Sequence, residues 1–326
     1  MRTVVVVYDV DARSRAVIAD ALDGAAEAIY LPDLDDAARA DALRNADAVL
    51  ARTTRELRQG EIALLKDIRL LQFINAGIDF VPLADLPPGV TVATNGGAYA
   101  EPMAEHALAM ALAAAKRLLP EHAALGRGEF NQFARNRMLA GGVCGILGFG
   151  GIGIAMARLA RGIGMQVHAI NRRGHSEEPT DWIGTPDQLD ALLAASDMLV
   201  ICTPLTPATS GWLGADQLAQ MKEDAILVNL ARGEIVDERA LYERLVAFPR
   251  FTACIDAWWI EPVRHGTFRM DQPFMSLPNV IGSPHNSAAA IAGTGMVGFQ
   301  RAIANIRRAL AGQTPLYLVP PEDRMM

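Results

Sequence analysis

Residues 143–161 read VCGILGFGGIGIAMARLAR. The first five residues are apolar and predict a buried strand, whereas the apolar spacing from Ile152 onward predicts a helix. Six residues form the pattern GxGxxG at the passage between them: Gly148, Phe149, Gly150, Gly151, Ile152 and Gly153. The pattern is common by itself, but directly between a strand and a helix it indicates a dinucleotide-binding turn.

The three glycines of the pattern have different expected tasks. Gly148 permits the tight turn, Gly150 lets a pyrophosphate approach the backbone, and Gly153 lets the helix pack closely on the strand. The N–H groups at the start of the helix would then hold the phosphate. A purely structural turn is the alternative, and the strand–turn–helix context disfavours it.

Apolar runs alternate with stretches of helical period on both sides of this turn, which predicts parallel sheets with helices on both faces. Strands are expected at 143–147, 166–170, 198–202, 225–229, 252–256 and 279–282, and in the first hundred residues at 3–8, 27–31, 46–51, 70–74 and 90–93. Long helices are expected at 101–119 and 288–312, with an irregular segment at 120–140.

We therefore expect an α/β protein with two doubly wound domains. A Rossmann dinucleotide-binding domain, residues 99–287, would be inserted into a separate α/β domain formed by residues 1–98 and 288–326. The length of 326 residues suits two domains.

Composition narrows the possible partners. A net charge of −7 argues against nucleic acid or an anionic membrane surface as a partner. The longest apolar stretch, residues 107–115, is too short to span a bilayer. Cys144, Cys202 and Cys254 are widely spaced in predicted strands, so we expect buried reduced thiols, a cytoplasmic location and no metal site.

The strand after the glycine-rich turn ends in Asn171, Arg172 and Arg173. An NAD site usually places an acidic residue at this point, where it binds the ribose 2′-hydroxyl. A neutral Asn followed by two guanidinium groups suits a 2′-phosphate instead. NADP is therefore favoured over NAD, and the alternative is that both arginines are solvated loop charges.

Several other predicted strands end at residues of interest, because ligands of open α/β sheets bind at these strand ends. The residues are Thr203 and Pro204, Arg232, Asp256, and His285, and Glu261 lies shortly after Asp256. The ordinary pKa of a histidine suits His285 to proton transfer. Glu261 beside it would stabilise the imidazolium. The other histidines are interpreted as structural or exposed: His106, His122, His168, His175 and His265.

At these residues the chain resembles the NAD(P)-dependent D-2-hydroxyacid dehydrogenases over nearly its whole length. Besides GxGxxG, the shared pattern comprises NAGID at 75–79, NGGAYAE at 95–101, an Ala-Glu pair at 104–105, PLT at 204–206, NLARG at 229–233, Asp256 with Glu261 and Pro262, and LPNV at 277–280 before Pro284 and His285.

The resemblance implies that residues 1–98 and 288–326 form a flavodoxin-like substrate domain. It also implies a role for each matched position. His285 would be the general acid/base with Glu261 as its partner, Arg232 would bind the carboxylate and the C2 oxygen, and Asp256 would hold the nicotinamide carboxamide. The substrate carboxylate would be bound by the backbone of a short loop and by a nearby arginine: Ala76, Gly77 and Ile78, with Arg52.

Three features depart from the usual pattern of the family. Asn171 replaces the acidic cofactor residue, the stretch 263–274 is longer than in many members, and Asn286 follows His285 where an aliphatic residue is common. The first departure places the NAD preference in doubt, and the second suggests a specialised loop near the active site.

The expected reaction is hydride transfer between NAD(P)H and C2 of a small 2-oxo acid or D-2-hydroxy acid. The same resemblance implies a homodimer, for which the segment 120–140 is a plausible contact. One alternative is a non-catalytic, NAD(P)-sensing corepressor on the same fold. Formate oxidation is another, which Glu261 disfavours because that branch pairs its histidine with Gln.

Overall fold

The computed structural model describes residues 1–289 and 294–321. Contacts divide the chain into two compact units, Met1–Tyr99 with Ile291–Met326, and Ala100–Ala290. The second unit is thus inserted into the sequence of the first. Each unit has its own parallel sheet, which confirms the predicted α/β class with two doubly wound sheets.

The first unit is built on a five-stranded sheet in the order β2-β1-β3-β4-β5. Its strands are β1 (Thr3–Val6), β2 (Glu27–Tyr30), β3 (Ala48–Ala51), β4 (Leu70–Phe73) and β5 (Val92–Ala93), and its first helices are α1 (Ala12–Leu22) and α2 (Asp36–Arg44). This is the flavodoxin-like strand order, and it reverses between β1 and β3. Strands buried on both faces explain why the sequence shows continuous apolar runs.

The second unit contains a seven-stranded sheet in the order β12-β11-β10-β9-β6-β7-β8. Its strands are β6 (Val143–Leu147), β7 (Gln166–Ile170), β8 (Trp182–Gly184), β9 (Met198–Ile201), β10 (Ile226–Asn229), β11 (Thr252–Ile255) and β12 (Val280–Gly282). All pairings are parallel. The order is that of a Rossmann domain, and it reverses between β6 and β9.

Helices cover both faces of this second sheet. They are α3 (Ala100–Ala115), α4 (Leu118–Gly126), α5 (Gly151–Gly162), α6 (Leu189–Ala195), α7 (Ala215–Gln220), α8 (Glu238–Ala247) and α9 (Pro262–His265). The α3 helix buries Met103, Ala104, Ala107 and Ala111, one stripe at helical spacing, and it packs on α5, β10 and β11.

The prediction of one helix over 101–119 is wrong. The α3 helix ends at Ala115, Arg117 adopts a left-handed conformation with φ of +56°, and α4 runs from Leu118 to Gly126, into the segment 120–140 that was expected to be irregular. Pro120 explains the break, because it has no N–H for a continuing helix, whereas the first turn of a new helix tolerates it. Strand β8 was also missed, since three residues give little periodicity.

The last helix, α10 (Thr294–Leu310), belongs to the first unit and packs on α1 and β4. It buries Ala302, Ile303 and Ile306 there. The expected start of this helix near residue 288 falls partly on 290–293, outside the described residues. Within the described chain, no helix is both long and apolar enough to cross a membrane.

Candidate active site

The glycine-rich turn links β6 to α5 in the second unit. Gly148 has φ of +99°, and a Cβ there would lie 2.6 Å from the backbone N of Thr203 at the end of β9. A Cβ on Gly153 would lie 2.4 Å from the carbonyl oxygen of Gly148. Real Cβ atoms do not approach so closely, so packing alone requires glycine at both positions.

Gly150 has a different environment from the other two glycines. It is the N-cap of α5 and, among the described residues, no side chain caps that helix. A Cβ added to Gly150 would meet no atom within 4 Å. An uncapped helix of twelve residues with open space at its N-terminus fits a bound pyrophosphate, because its free N–H groups and positive dipole end face that space.

Asn171 follows β7 and organises the turn that carries the two arginines. Its Oδ1 accepts hydrogen bonds from the backbone N of Arg173 at 2.9 Å and of Gly174 at 2.8 Å, and its Nδ2 donates to the carbonyl of His175. Arg172 and Arg173 are exposed. Since β7 pairs in parallel with β6, this turn lies at the same sheet edge as the glycine-rich turn.

The side chains of His285 and Glu261 are in direct contact. The Nδ1 of His285 lies 2.9 and 2.8 Å from the two carboxylate oxygens of Glu261, and the backbone N of Trp258 donates to Oε1 at 2.7 Å. Glu261 is buried, while about 34% of the His285 side chain is exposed. Glu261 therefore orients the imidazole, and Nε2 is the ring nitrogen left for a ligand.

The ionisation of Glu261 reflects opposing effects. Burial raises the pKa of this carboxyl, but the hydrogen bond and charge of His285, the Trp258 N–H and the charge of Arg232 together lower it. The result is a pKa below the usual range of a glutamate. Glu261 is therefore a carboxylate near neutral pH, able to accept a hydrogen bond from the His285 ring.

Arg232 is presented by a tight turn after β10. Asn229 braces this turn, because its Oδ1 accepts from the backbone N of Ala231 at 3.0 Å and its Nδ2 donates to the carbonyl of Arg232 at 2.8 Å. A Cβ on Gly233 would lie 2.5 Å from the backbone of Trp258. The Arg232 turn therefore packs directly against the segment that leads to Glu261.

Asp256 lies at the end of β11 and has no exposed surface. Its Oδ1 accepts hydrogen bonds from the Ser283 hydroxyl at 2.5 Å and the backbone N of Asn286 at 3.2 Å, and its Oδ2 accepts from the backbone N of Ser287 at 3.2 Å. The contact to a nicotinamide carboxamide implied by the resemblance would require Asp256 to become accessible. Asn286 thus contributes to this hydrogen-bond network through its backbone N–H.

Two residues of this network were not selected from the sequence. Ser283 bonds to Asp256, and the Nε2 of His106 on α3 lies 3.0 Å from the Ser283 hydroxyl and 3.8 Å from Oδ1 of Asp256. His106, interpreted from the sequence as structural or exposed, is thus part of this hydrogen-bond network. Ser283 could have been selected because it follows β12, whereas His106 carries no signal, since its partners are 150 or more residues away in sequence.

The stretch 263–274 is held against the rest of the second unit. Arg264 pairs with Glu234 at 2.7 Å, and the ring of Trp259 stacks on Phe274 with centroids 5.3 Å apart. The indole N–H of Trp258 donates to the carbonyl of Ser283 at 2.8 Å. The longer loop thus borders the segment that carries His285.

The first unit carries the remaining predicted site residues. Arg52 follows β3, and its guanidinium lies 4.3 Å from the centroid of the Tyr8 ring. Asn75 donates to the carbonyl of Arg52 at 2.9 Å. Among the described residues, the backbone N–H groups of Ala76, Gly77 and Ile78 have no hydrogen-bond acceptor. Three successive free N–H groups are suited to binding an anion.

The described residues include no group of three or more His, Cys, Asp or Glu side chains arranged to hold a metal ion. Cys144, Cys202 and Cys254 are free thiols, and burial raises the pKa of each. Such thiols are poorly nucleophilic at neutral pH.

Comparison with known proteins gives matches over both units. The family model "D-isomer specific 2-hydroxyacid dehydrogenase, NAD binding domain" matches residues 108–287. Glyoxylate/hydroxypyruvate reductase B of Pectobacterium atrosepticum is 35% identical over 261 residues, 78% of this chain and 80% of that protein. Hydroxypyruvate reductase of Thermotoga maritima is 28% identical over 257 residues, 78% of this chain and 82% of that protein.

Solved structures show the same similarity. The D-isomer specific 2-hydroxyacid dehydrogenase of Xanthobacter autotrophicus Py2, crystallised in complex with NADPH and MES, superposes with a TM-score of 0.78. It is 25% identical, and the match covers 98% of each chain.

Proposed function

Because the chain belongs to the D-isomer specific 2-hydroxyacid dehydrogenase family, we propose that it reduces a small 2-oxo acid with His285 as the proton donor. It is an NAD(P)-dependent oxidoreductase of 2-hydroxy acids, as are its named relatives. The observation that carries the proposal is the bidentate contact of His285 with a buried, ionised Glu261, which leaves Nε2 for the substrate.

The cofactor would be held by the second unit, which we propose as the dinucleotide-binding domain. The N–H groups at Gly150 and Gly151 would bind the pyrophosphate, and Thr203 and Pro204 would border it at the end of β9. When bound, the nicotinamide supplies the hydride that reduces C2 of the substrate. We propose NADP over NAD, because Asn171 stands where an acidic residue would bind a free 2′-hydroxyl, and Arg172 and Arg173, which follow it, suit a 2′-phosphate.

Proton transfer would be the task of His285. As C2 is reduced, negative charge develops on its oxygen, and an imidazolium at hydrogen-bond distance can donate its Nε2 proton there. Glu261 holds the other ring nitrogen, Nδ1, and would balance the charge of the imidazolium. Arg232 would bind the same oxygen and the carboxylate, and its guanidinium would stabilise the developing charge.

The first unit would contribute a loop for the substrate carboxylate. The free N–H groups of Ala76, Gly77 and Ile78 form a short run of donors after β4. Arg52 adds a cation at the end of β3. Both features lie at the carboxyl ends of parallel strands, where open α/β sheets bind their ligands.

We also propose a homodimer, with the segment 120–140 as its contact. Large apolar side chains are exposed there, among them Leu125, Phe130, Phe133 and Met138. Exposed apolar surface of this extent is typical of protein interfaces. Light scattering after gel filtration tests the dimer, and a monomer of 35.0 kDa would contradict it. Reduced thiols and the absence of a predicted span favour a cytoplasmic location.

The decisive assay measures oxidation of NADPH and NADH with glyoxylate, hydroxypyruvate, phosphohydroxypyruvate and bulkier 2-oxo acids. We expect many turnovers with at least one small 2-oxo acid, and a higher kcat/KM for NADPH. Cofactor binding without turnover would favour the sensing protein over the enzyme. A clear preference for NADH would refute the role proposed for Arg172 and Arg173.

A further inference from the structure

We propose that His106, Ser283 and Asp256 form a positioning network that holds the backbone of His285 in its left-handed conformation and thereby supports proton transfer from this residue. The proposal rests on the function proposed above for His285. It assigns to Asp256 a task inside the second unit that needs no contact with a ligand.

The backbone of His285 adopts a conformation that a histidine rarely takes. Its φ is +52°, in the left-handed region that favours glycine. Such a conformation persists only where the surrounding structure imposes it. Because the side chain is needed at this position, glycine cannot relieve the strain, and another group has to compensate for it.

The carboxylate of Asp256 provides that compensation. The two residues after His285 direct their backbone N–H groups to its two oxygens, Asn286 to Oδ1 and Ser287 to Oδ2, each at 3.2 Å. Successive N–H groups that converge beside a left-handed residue form a concave site for an anion. Here the anion is a side chain of the same unit, and it is fully buried.

The Ser283 hydroxyl and His106 complete the network, and only one assignment of donors and acceptors is possible in it. A carboxylate only accepts hydrogen bonds, so at 2.5 Å from Oδ1 of Asp256 the single proton of Ser283 is donated to it. The oxygen of Ser283 must then accept from Nε2 of His106, 3.0 Å away. His106 therefore carries a proton on Nε2 and supports the buried carboxylate through Ser283.

The network and Glu261 restrain different parts of the same residue. Glu261 holds Nδ1 of the His285 ring, whereas Asp256 holds the backbone on the C-terminal side of this residue. Together they fix where Nε2 points. A small displacement of a proton donor has a large effect on rate, because transfer requires hydrogen-bond geometry.

Two serines of the same loop allow a matched test. Ser283→Ala removes the hydroxyl that bonds to Asp256, whereas Ser287→Ala removes a buried hydroxyl that has no hydrogen-bond partner among the described residues. We expect Ser283→Ala to lower kcat about tenfold or more with KM values within about threefold, and to enlarge the solvent isotope effect on kcat. Ser287→Ala should change kcat less than about twofold, because its backbone N–H is retained.

Conservative variants separate positioning from packing. Ser283→Thr keeps the hydroxyl and should retain most of the kcat. His106→Gln keeps an N–H donor and should be closer to the wild type than His106→Leu. Equal losses in Ser283→Ala and Ser283→Thr, or in Ser283→Ala and Ser287→Ala, would overturn the proposal.

Hydrogen exchange measured by mass spectrometry tests the network without turnover. In the full-length protein without cofactor, the peptide containing the Asn286 and Ser287 amides should exchange about tenfold faster in Ser283→Ala and at the wild-type rate in Ser287→Ala. Wild-type exchange in Ser283→Ala would overturn the network. Should the wild type reduce no 2-oxo acid, the proposed function fails, and the exchange rates still decide whether the network holds this loop.

Discussion

Two turns of the second unit direct backbone N–H groups toward an anion, but they differ in what occupies the site. The turn between β6 and α5 is open: Gly150 has no neighbour within 4 Å at its Cβ position, and no described side chain caps the helix. The turn after β12 is filled, because the Asp256 carboxylate accepts the N–H groups of Asn286 and Ser287.

The difference shows that converging backbone N–H groups can either bind the anion of a ligand or hold a carboxylate of the protein itself. Where the anion comes from a ligand, the chain uses glycine and leaves the helix N-terminus uncapped. Where the anion is a buried side chain, the turn becomes a rigid support for a neighbouring residue, here His285. The following predictions test each turn, beginning with the largest expected effect.

Removing the imidazole of His285, which the filled turn supports, should have the largest effect on kcat. We expect His285→Gln to lower kcat by about 10²–10⁴-fold, because the amide cannot donate a proton to the developing alkoxide. The dissociation constant for NADPH, measured by fluorescence titration, should stay within about threefold of the wild type, because His285 is not part of the open turn. Near-normal turnover would contradict the assignment of His285.

Two alanine substitutions distinguish open from tightly packed positions within the glycine-rich turn. Gly150→Ala should leave thermal unfolding nearly unchanged but weaken cofactor binding about tenfold, since its methyl group occupies the space of the pyrophosphate. Gly153→Ala should instead destabilise the second unit by about 1–3 kcal/mol, because its Cβ would collide with the Gly148 carbonyl. Calorimetry and cofactor titration on both variants check the pair, and identical profiles would refute the distinction.

The arginines beside the open turn should govern the choice of cofactor. Replacement of both Arg172 and Arg173 by Ala should lower the ratio of kcat/KM for NADPH over NADH by roughly tenfold, as expected for lost charge-assisted contacts with a phosphate. Arg158→Ala is the matched control, because this exposed arginine on α5 pairs with Glu178. A ratio that stays constant in the double variant would show that both arginines are solvated loop charges.

The smallest expected effect is on the pH dependence of the free energy of unfolding. It arises from Glu261, which contacts the ring of His285 beside the filled turn. Its pKa is lowered in the folded protein, so its ionised form stabilises the fold above the ordinary pKa of a glutamate. This contribution should be lost as the pH falls through the lower, folded-state value. Urea unfolding of the wild type and Glu261→Gln should therefore show free energies of unfolding that converge on acidification. A difference that grows toward low pH would contradict this ionisation.

Local patterns in the sequence predict much of this molecule. The GxGxxG turn and the strands β6 and β7 follow from periodicity and glycine spacing, because neighbouring residues determine them. The partnership of His285 with Glu261 was a hypothesis from the residues, and the resemblance to a family assigned His285 the role of general acid/base with Glu261 as its partner. Other features depend on tertiary contacts between residues that are distant in sequence, so no local pattern predicts them. They are the left-handed backbone of His285, the burial of Asp256 and the contribution of His106. The break between α3 and α4 could have been predicted, because Pro120 cannot continue a helix.

The most direct measurement of the central claim uses NADPH deuterated at C4 of the nicotinamide on the face from which the hydride leaves, with the 2-oxo acid that the wild type reduces fastest. We predict that the product is the D-2-hydroxy acid with deuterium at C2, and that His285→Gln forms it at a rate lower by orders of magnitude. A product without deuterium at C2, or unchanged turnover in His285→Gln, would contradict the account.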